Sequence, residues 1–421
     1  MPEETFVIAG ASLAGAKAAE TLREEGFGGR VLLVGDEIER PYERPPLSKG
    51  FLLDKEPRDK AHVHEADWYD KHDVELRVGT SVAAIDRDAH QVRLSTKEPV
   101  PYAKLLLATG ASVRTLDVPG AKLQGIHYLR TMADAAALKQ ALAHGGRRVV
   151  VAGAGWIGLE TAAAARSYGN EVTIIEPEPA PLHAAMGPEL GAMFADLHRE
   201  HGVDLRLDQG VAGFWGAGQV SAVVTSGGAE VPADVVIVGI GARPNTALAE
   251  AAGLEVSDGI LVDQSLRTSD PDIFAAGDVA NAYHPLLGRR IRVEHWANAL
   301  NGGPAAARAM LGQDVVYDRI PYFFSDQYDL GMEMSGVAAP GEYDRVVYRG
   351  DRGSREFVAF WLSGGRVVAG MNVNVWDVTG DVQALIRSRR PVDADRLADP
   401  AVPLADRACA RRARSAGWPR T

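Results

Sequence analysis

Two glycine fingerprints of the kind that opens a Rossmann unit lie in this one chain, the first starting at Gly10 and the second at Gly153. The first reads Phe6-Val-Ile-Ala-Gly10-Ala-Ser12-Leu-Ala14-Gly15, a short apolar strand turning into a small-residue helix that runs on through Ala18, Ala19 and Leu22. In such a unit the first glycine permits a tight turn, the second lets backbone approach a pyrophosphate, and the third lets helix pack on strand. The amides at the helix N-terminus then point at the phosphates. Ser12 stands in the second slot, where a small hydroxyl side chain can itself donate to a phosphate. The second fingerprint, Val149-Val-Val-Ala-Gly153-Ala-Gly155-Trp-Ile157-Gly158-Leu-Glu160, has all three glycines after its strand.

A second apolar strand ending in acid follows each fingerprint: Arg30 to Asp36-Glu37 in the first case, Glu171 to Glu176 in the second. Carboxylates placed there accept hydrogen bonds from an adenosine ribose. The repeat continues past the fingerprints. His72-Asp-Val-Glu-Leu precedes alternating strands at 78–85 and 91–95 and the strand Lys104 to Thr109-Gly110. His201-Gly-Val-Asp-Leu precedes strands around Val211 and 220–225 and the strand Asp234 to Gly241. Gly10 to His72 spans 62 residues and Gly153 to His201 spans 48, so the first copy carries 14 more, around Glu43-Arg44-Pro-Pro-Leu-Ser-Lys49. An insertion confined to one copy is a candidate for that copy's own ligand.

The run Thr268-Ser-Asp-Pro-Asp-Ile-Phe-Ala-Ala-Gly277-Asp278 returns to the first unit after the second is complete, with crossovers near 109–114 and 241–245. Its Gly-Asp turn offers backbone N–H to phosphate and a carboxylate to a polyol. The expected fold is α/β: two Rossmann-like doubly wound dinucleotide-binding domains, one inserted in the other, plus a C-terminal α+β domain. The boundaries fall at 1–111 with 241–319 for a FAD-binding domain, 112–240 for an NAD-binding domain and 320–405 for the C-terminal domain. There, strands are expected at 329–335, 345–348, 356–362 and 366–372, with a helix near 378–387. The arginine-rich tail 406–421 is expected to be a solvated end. One chain binding two dinucleotides points to a flavin exchanging electrons with a nicotinamide.

The chain resembles the NADH-dependent, FAD-containing ferredoxin reductases of the two-dinucleotide-domain flavoprotein superfamily. The resemblance rests on Arg44-Pro-Pro-Leu-Ser-Lys49, Leu107-Ala-Thr109-Gly110, Leu129-Arg130-Thr131, Gly241-Ala-Arg-Pro-Asn245, Ala275-Ala-Gly277-Asp278, Glu294-His-Trp296-Ala-Asn298 and Phe324-Ser-Asp-Gln-Tyr328. It implies FAD contacts at Ala14, Asp36, Lys49, Val82, Arg130, Asp278 and Trp296, with Arg44 and Arg114 close by. Gly10, Ser12, Gly15, Glu37, Thr109, Gly110, Gly241 and Gly277 complete the candidate FAD shell. The nicotinamide side falls on Gly153, Gly155, Ile157, Gly158, Glu160 and Glu176, and Glu176 with no arginine close behind favours NADH over NADPH. In such proteins a lysine at position 49 pairs with Glu160 beside the flavin ring, where a cation favours the anionic reduced flavin by Coulomb attraction. Relatives usually carry Trp where Phe324 stands, which puts a relay role for Phe324 in question. The implied activity is transfer of electrons from NADH through FAD to a two-iron two-sulfur ferredoxin serving an oxygenase, either a haem-thiolate monooxygenase or a Rieske dioxygenase. A flavin-dependent NADH oxidase or quinone reductase, a rubredoxin reductase, and a redox-sensing interaction protein like apoptosis-inducing factor stay open.

Composition narrows this further. With 421 residues, 46% of them hydrophobic, the chain can bury the cores of several domains. No apolar run reaches the 18 or so residues of a membrane span and no signal-peptide pattern precedes the first strand, so the expected location is the cytoplasm, with no membrane partner. A net charge of −11 argues against nucleic acid as partner. Arg289, Arg290, Arg292 and Arg308 are candidates for a local basic patch facing an acidic ferredoxin. No metal site is expected: His62-x-His64 and His198-x-x-His201 lack cysteine neighbours and read as surface histidines, and no G-x-S-x-G elbow is present. The one cysteine, Cys409, lies in the tail, so no thiol relay is available and electrons must leave the flavin directly. Cys409→Ser should therefore reduce ferricyanide from NADH at the wild-type rate. A large loss in that assay would mean the tail takes part.

Overall fold

The computed structural model describes residues 4–404. Its first sheet has five parallel strands in the order Ile273–Ala275, Lys104–Leu107, Thr5–Ala9, Arg30–Val34, Val74–Arg77. The second repeats the plan with Asp204–Arg206, Glu171–Ile175, Arg148–Ala152, Val235–Val238 and Ile126–His127, again all parallel. The register repeats as well, Thr5 opposite Arg30 in one and Arg148 opposite Glu171 in the other. Only the fifth strand differs in origin. Ile273–Ala275 comes long after the first copy, whereas Ile126–His127 comes before the second. The central strands are near-continuous apolar runs because both sheet faces are covered. Val7, Ile8, Leu32, Leu33, Leu105 and Leu106 are wholly buried.

Each sheet has a three-stranded antiparallel meander inserted between two of its strands, Val82–Asp86, Gln91–Leu94 and Pro99–Pro101 before Lys104–Leu107 in the first, and Val211–Ala217, Gln219–Thr225 and Glu230–Pro232 before Val235–Val238 in the second. The strand expected from 78 starts only at Val82, because Gly79 turns the chain at a φ of 61°. Where the chain crosses from one copy to the other and back, Ala111–Val113 and Ala242–Pro244 pair antiparallel.

Two glycines decide how closely helix and strand approach. A Cβ on Gly15, in the helix Leu13–Glu24, would lie 2.0 Å from the Gly10 carbonyl oxygen. A Cβ on Gly158, in the helix Trp156–Ser167, would lie 2.1 Å from that of Gly153. A third close approach is not part of either fingerprint: Gly303, in the helix Trp296–Met310, would put a Cβ 2.1 Å from the Ala14 carbonyl oxygen.

Residues through Pro181 together with Ala192–Arg319 form one compact unit, and Leu182–Gly191 together with the chain from Ile320 form another. The second unit holds an antiparallel sheet in the order Tyr322–Gln327, Leu330–Gly336, Arg366–Val373, Glu356–Ser363, Arg345–Asp351. Phe357, Phe360 and Trp361 are buried, and the helix Thr379–Ser388 ends at a left-handed Arg389. The strand Tyr322–Gln327 adds a fifth to the four expected from sequence. Its run Tyr-Phe-Phe-Ser-Asp-Gln lacks the apolar-polar alternation that marks a half-buried strand. The segment Leu182–Gly191 leaves helical geometry at Gly187, with φ of 75° before Pro188, and Tyr348 donates to its Glu189 at 2.8 Å.

Gly303→Ala should cost on the order of 1–3 kcal/mol, because backbone rather than a movable side chain meets the new methyl. Gly380→Ala, in open space inside a helix, should be neutral or stabilising by up to about 1 kcal/mol. Thermal melts of the two variants check the contrast.

Candidate functional site

At the carboxyl ends of the strands Thr5–Ala9 and Arg30–Val34 opens a cavity of about 650 Å³, lined in part by Gly10, Asp36, Val82, Thr109 and Asn245. Open α/β sheets bind ligands at this edge. Gly10 holds a φ of 126° and a Cβ there would sit 2.1 Å from the Ala108 carbonyl oxygen. Ser12 caps the following helix with its backbone but makes no side-chain capping bond, which leaves its hydroxyl to a ligand. Ala14 and Gly15 form the first turn, and Gly277, at a φ of 77°, lies over Ala14. Thr109 and Asn245 exchange hydrogen bonds, the Thr109 hydroxyl donating to the Asn245 carbonyl at 2.9 Å and the Asn245 amide to the Thr109 carbonyl at 2.8 Å. The nearby crossover is closed by Arg114, whose Nε donates to the Ala242 carbonyl at 3.0 Å beside Gly241, itself at a φ of 94°.

The two acids after the second strand take different places. Asp36 lines the cavity. Glu37 is held inside a network in which Tyr42, buried at 2% exposure, donates to its Oε2 at 2.5 Å and Arg44 to its Oε1 at 2.9 Å. Arg44 also donates to the Arg130 carbonyl at 2.5 Å, and the Tyr42 oxygen accepts from the Met132 amide at 3.0 Å. Arg130 in turn donates to Asp278 at 2.8 Å. Gly110 sits under it at a φ of 64°, where a Cβ would come within 3.4 Å of that guanidinium. One hydrogen-bonded chain thus joins Glu37, Tyr42, Arg44, Arg130 and Asp278. Trp296 donates its indole N–H to Glu43 at 3.0 Å, and burial pushes the Glu43 carboxyl above the usual range.

The insertion brings the two fingerprints together. Lys49 Nζ lies 2.7 Å from Glu160 Oε1 and Ser48 Oγ donates to Glu160 Oε2 at 2.5 Å. Glu160 belongs to the second fingerprint helix and is 4% exposed. A buried carboxylate is tolerated only when paired and hydrogen-bonded, and Lys49 and Ser48 both come from the other copy.

Around the second fingerprint Gly153 takes a φ of 100°, and a Cβ on Gly155 would find its nearest neighbour 4.0 Å away. The helix N-terminus at Gly155 has no side-chain cap, and Ile157 is 43% exposed beside it. Glu176 accepts from the Ala154 amide at 2.5 Å and the Glu178 amide at 3.0 Å, at the end of its strand. These backbone bonds aim the carboxylate across the fingerprint turn. The residues present therefore fit two dinucleotides.

Several readings from sequence need correction. The histidines are not on the surface: His198 is fully buried, and the His62 and His64 side chains lie against Glu39 and Glu20. Among the described residues no group of three His, Cys, Asp or Glu could hold a metal. The arginines expected to dock a partner are engaged within the protein. Arg292 pairs with Asp258 and Glu294, Arg308 with Glu25, and Arg290 donates to the Val262 and Asn281 carbonyls. Phe324 lies in the first strand of the C-terminal sheet. Cys409 and the tail 406–421 lie outside the described residues. Tyr42, Glu43, Ser48 and His295 were not singled out from sequence. For Glu43, Ser48 and His295 the motif runs containing them were the available signal, and Tyr42 directly precedes the first of these runs.

Two dinucleotide sites joined by one buried ion pair define a nicotinamide-linked flavoprotein oxidoreductase. Residues 4–303 match the pyridine nucleotide-disulphide oxidoreductase family and 322–408 the reductase C-terminal family. The chain is 44% identical to the anthranilate 1,2-dioxygenase system ferredoxin–NAD(+) reductase component of Burkholderia cepacia, over 96% of this chain and 99% of that protein. It is 38% identical to putidaredoxin reductase of Pseudomonas putida, over 97% of this chain and 98% of that one. A crystal structure of the covalent putidaredoxin reductase–putidaredoxin complex superposes with a TM-score of 0.92 at 38% identity, covering 95% of this chain and 97% of that one. The chain belongs to the pyridine nucleotide-disulphide oxidoreductase family, and with a single cysteine it has no redox disulfide of its own. No helix among the described residues is long and apolar enough to cross a membrane.

His295, at the N-cap position of the helix Trp296–Met310, is half-buried, and desolvation pushes its imidazole down to about 4 although Asp278 pulls the other way. Unfolded, the same ring titrates near 6.5, so between those values only the unfolded chain binds the proton. Stability should fall as pH drops from about 6.5 towards 4, by up to a few kcal/mol, and be flat with respect to this group above 6.5. In His295→Asn that part of the slope should vanish in urea titrations across the window. An unchanged slope would assign it to other groups.

Proposed function

We propose that this chain is an NADH-dependent ferredoxin reductase that passes electrons through FAD to a two-iron two-sulfur ferredoxin serving an oxygenase. The observation that carries the reading is the Lys49–Glu160 pair, which ties the flavin fingerprint to the nicotinamide fingerprint where no cysteine is available as a relay. We assign FAD to 1–111 with 241–319 and NADH to 112–240, with 320–405 as the interface domain. The cytoplasm, where NADH is regenerated, is the compartment this reading implies.

FAD bound here supplies hydride acceptance from NADH and release of electrons one at a time. The protein's part is binding, orientation and electrostatics. Asp36 accepts from a ribose hydroxyl, while Ser12 and the amides at the start of its helix take the pyrophosphate. Asp278, oriented by Arg130, meets the polyol chain, and Lys49 places positive charge beside the ring system. On the nicotinamide side Gly155 leaves room for a second pyrophosphate and Glu176 accepts from the adenosine ribose. A 2′-phosphate about 4 Å from Glu176 would be repelled by roughly 4 kcal/mol at an effective dielectric near 20, and a third of that already gives about tenfold selectivity.

Purified protein should be yellow, and anaerobic NADH should bleach it faster than NADPH by about tenfold or more. Reoxidation by a two-iron ferredoxin should outpace reoxidation by air, whereas a faster reaction with oxygen or quinone would favour the oxidase reading. Glu176→Arg should reverse or erase the nicotinamide preference. Equal use of both nicotinamides by the wild type contradicts the Glu176 assignment.

A further inference from the structure

Ser48 is the one member of the fingerprint-bridging cluster to which no role has been given so far. We propose that Ser48 is a positioning residue for the Lys49–Glu160 pair, fixing the rotation of the Glu160 carboxylate and through it the place of the Lys49 ammonium. This rests on the flavin and nicotinamide reading above.

The geometry gives each carboxylate oxygen its own donor, Lys49 at 2.7 Å on Oε1 and Ser48 at 2.5 Å on Oε2. The hydroxyl's other near acceptor, the Pro45 carbonyl, is 3.5 Å away, too long to compete. A terminal carboxylate torsion is broad and weakly preferred on its own. With two donors from different directions it has one orientation. Without the Ser48 hydroxyl, Oε2 loses a donor at 2.5 Å, so the carboxylate rotation and with it the place of the Lys49 ammonium are held less tightly.

The backbone carrying the two donors is itself immobilised. Pro45 and Pro46 lock φ in the turn Pro45–Ser48, and the Lys49 and Phe51 amides both donate to the Pro46 carbonyl, at 3.2 and 3.0 Å. Leu47 and Phe51 are buried in one cluster with Tyr42, Leu129 and Met132. Tyr168, from the end of the helix that carries Glu160, donates to the Leu52 carbonyl at 2.7 Å. Ser48 is therefore delivered to Glu160 by a segment that cannot slide, and its hydroxyl is buried at 4% exposure.

The test is a double-mutant cycle on the FAD-loaded protein, reading the limiting rate of anaerobic flavin bleaching by NADH, the NADH Kd and the flavin midpoint potential. Ser48→Ala should lower the limiting rate about tenfold while leaving NADH Kd within about twofold. It should also shift the flavin equilibrium about tenfold towards the oxidised form, which is about 30 mV for a two-electron couple. In a Glu160→Gln background the same change should cost less than about twofold, because a residue acting through the Lys49–Glu160 ion pair has no ion pair left to position. Equal losses in both backgrounds, or a Ser48→Ala protein with unchanged rate and potential, would overturn the proposal. Bleaching of the wild-type flavin by NADH is read first and bears on the flavin reading, whereas the cycle bears on Ser48.

Discussion

A carboxylate buried at Glu160 imposes its needs on the rest of the molecule. Left alone in a helix whose other faces are Gly158, Ala162, Ala163 and Ala164, it would cost several kcal/mol. Its named partners, Ser48 and Lys49, are more than a hundred residues earlier in the chain. The two Rossmann units must therefore be held in one registration for either to be satisfied. The insertion achieves this by docking along its length: Tyr42 against the Met132 amide, Phe51 beneath Lys139, Asp54 on Lys139, and Leu52 on Tyr168. An element that reads as a ligand loop in the sequence also works as the strut between the two nucleotide halves.

The same strut organises the first cofactor site. Tyr42 and Arg44 both hold Glu37, and each also reaches the second Rossmann unit, Tyr42 at the Met132 amide and Arg44 at the Arg130 carbonyl next to the Arg130–Asp278 pair. Arg44 is desolvated, which disfavours its charge, yet Tyr42, Glu37 and Asp278 around it keep the guanidinium above its ordinary range. The network is stable because every charge in it has an opposite neighbour. It also means that the acid pair Asp36-Glu37 is divided, one carboxylate for the cavity and one for the frame.

What could be read from the sequence follows from how local each signal is. Strand, turn, helix and acid-ending strand recur within about 25 residues in a Rossmann unit, so both fingerprint turns were legible, while the return of 273–275 to the first sheet showed only through the Gly277-Asp278 run. Ser48 and Tyr42 were not, because what defines them is contact with Glu160 and Met132 across the fold. The histidines misled for the same reason. His64 looks like one of a surface pair in sequence, but its ring is stacked on Trp68 at 3.9 Å and its Nε2 lies 3.5 Å from Glu20. Arg289, Arg290, Arg292 and Arg308 were candidates for a basic patch, although Asp258 and Glu25 arrive from distant segments to pair Arg292 and Arg308, and Glu294 pairs Arg292 from two residues along. Charge counted along the chain says little about charge presented at a surface.

The departure at Ser12 shows how the three fingerprint positions divide their work. At the first and third positions the fold itself demands glycine, since a Cβ on Gly10, Gly15 or Gly158 would meet a carbonyl oxygen at 2.0–2.1 Å. At the second position it does not: Gly155 has a φ of −75°, allowed to any residue, and 4.0 Å of clearance. Whatever restricts that slot must come from the ligand's approach rather than from packing. Ser12 can therefore replace glycine without strain, at φ of −123°, trading closest backbone approach for a hydroxyl donor. The two halves share a backbone plan, and the one fingerprint slot in which they differ is the slot the fold leaves to the ligand.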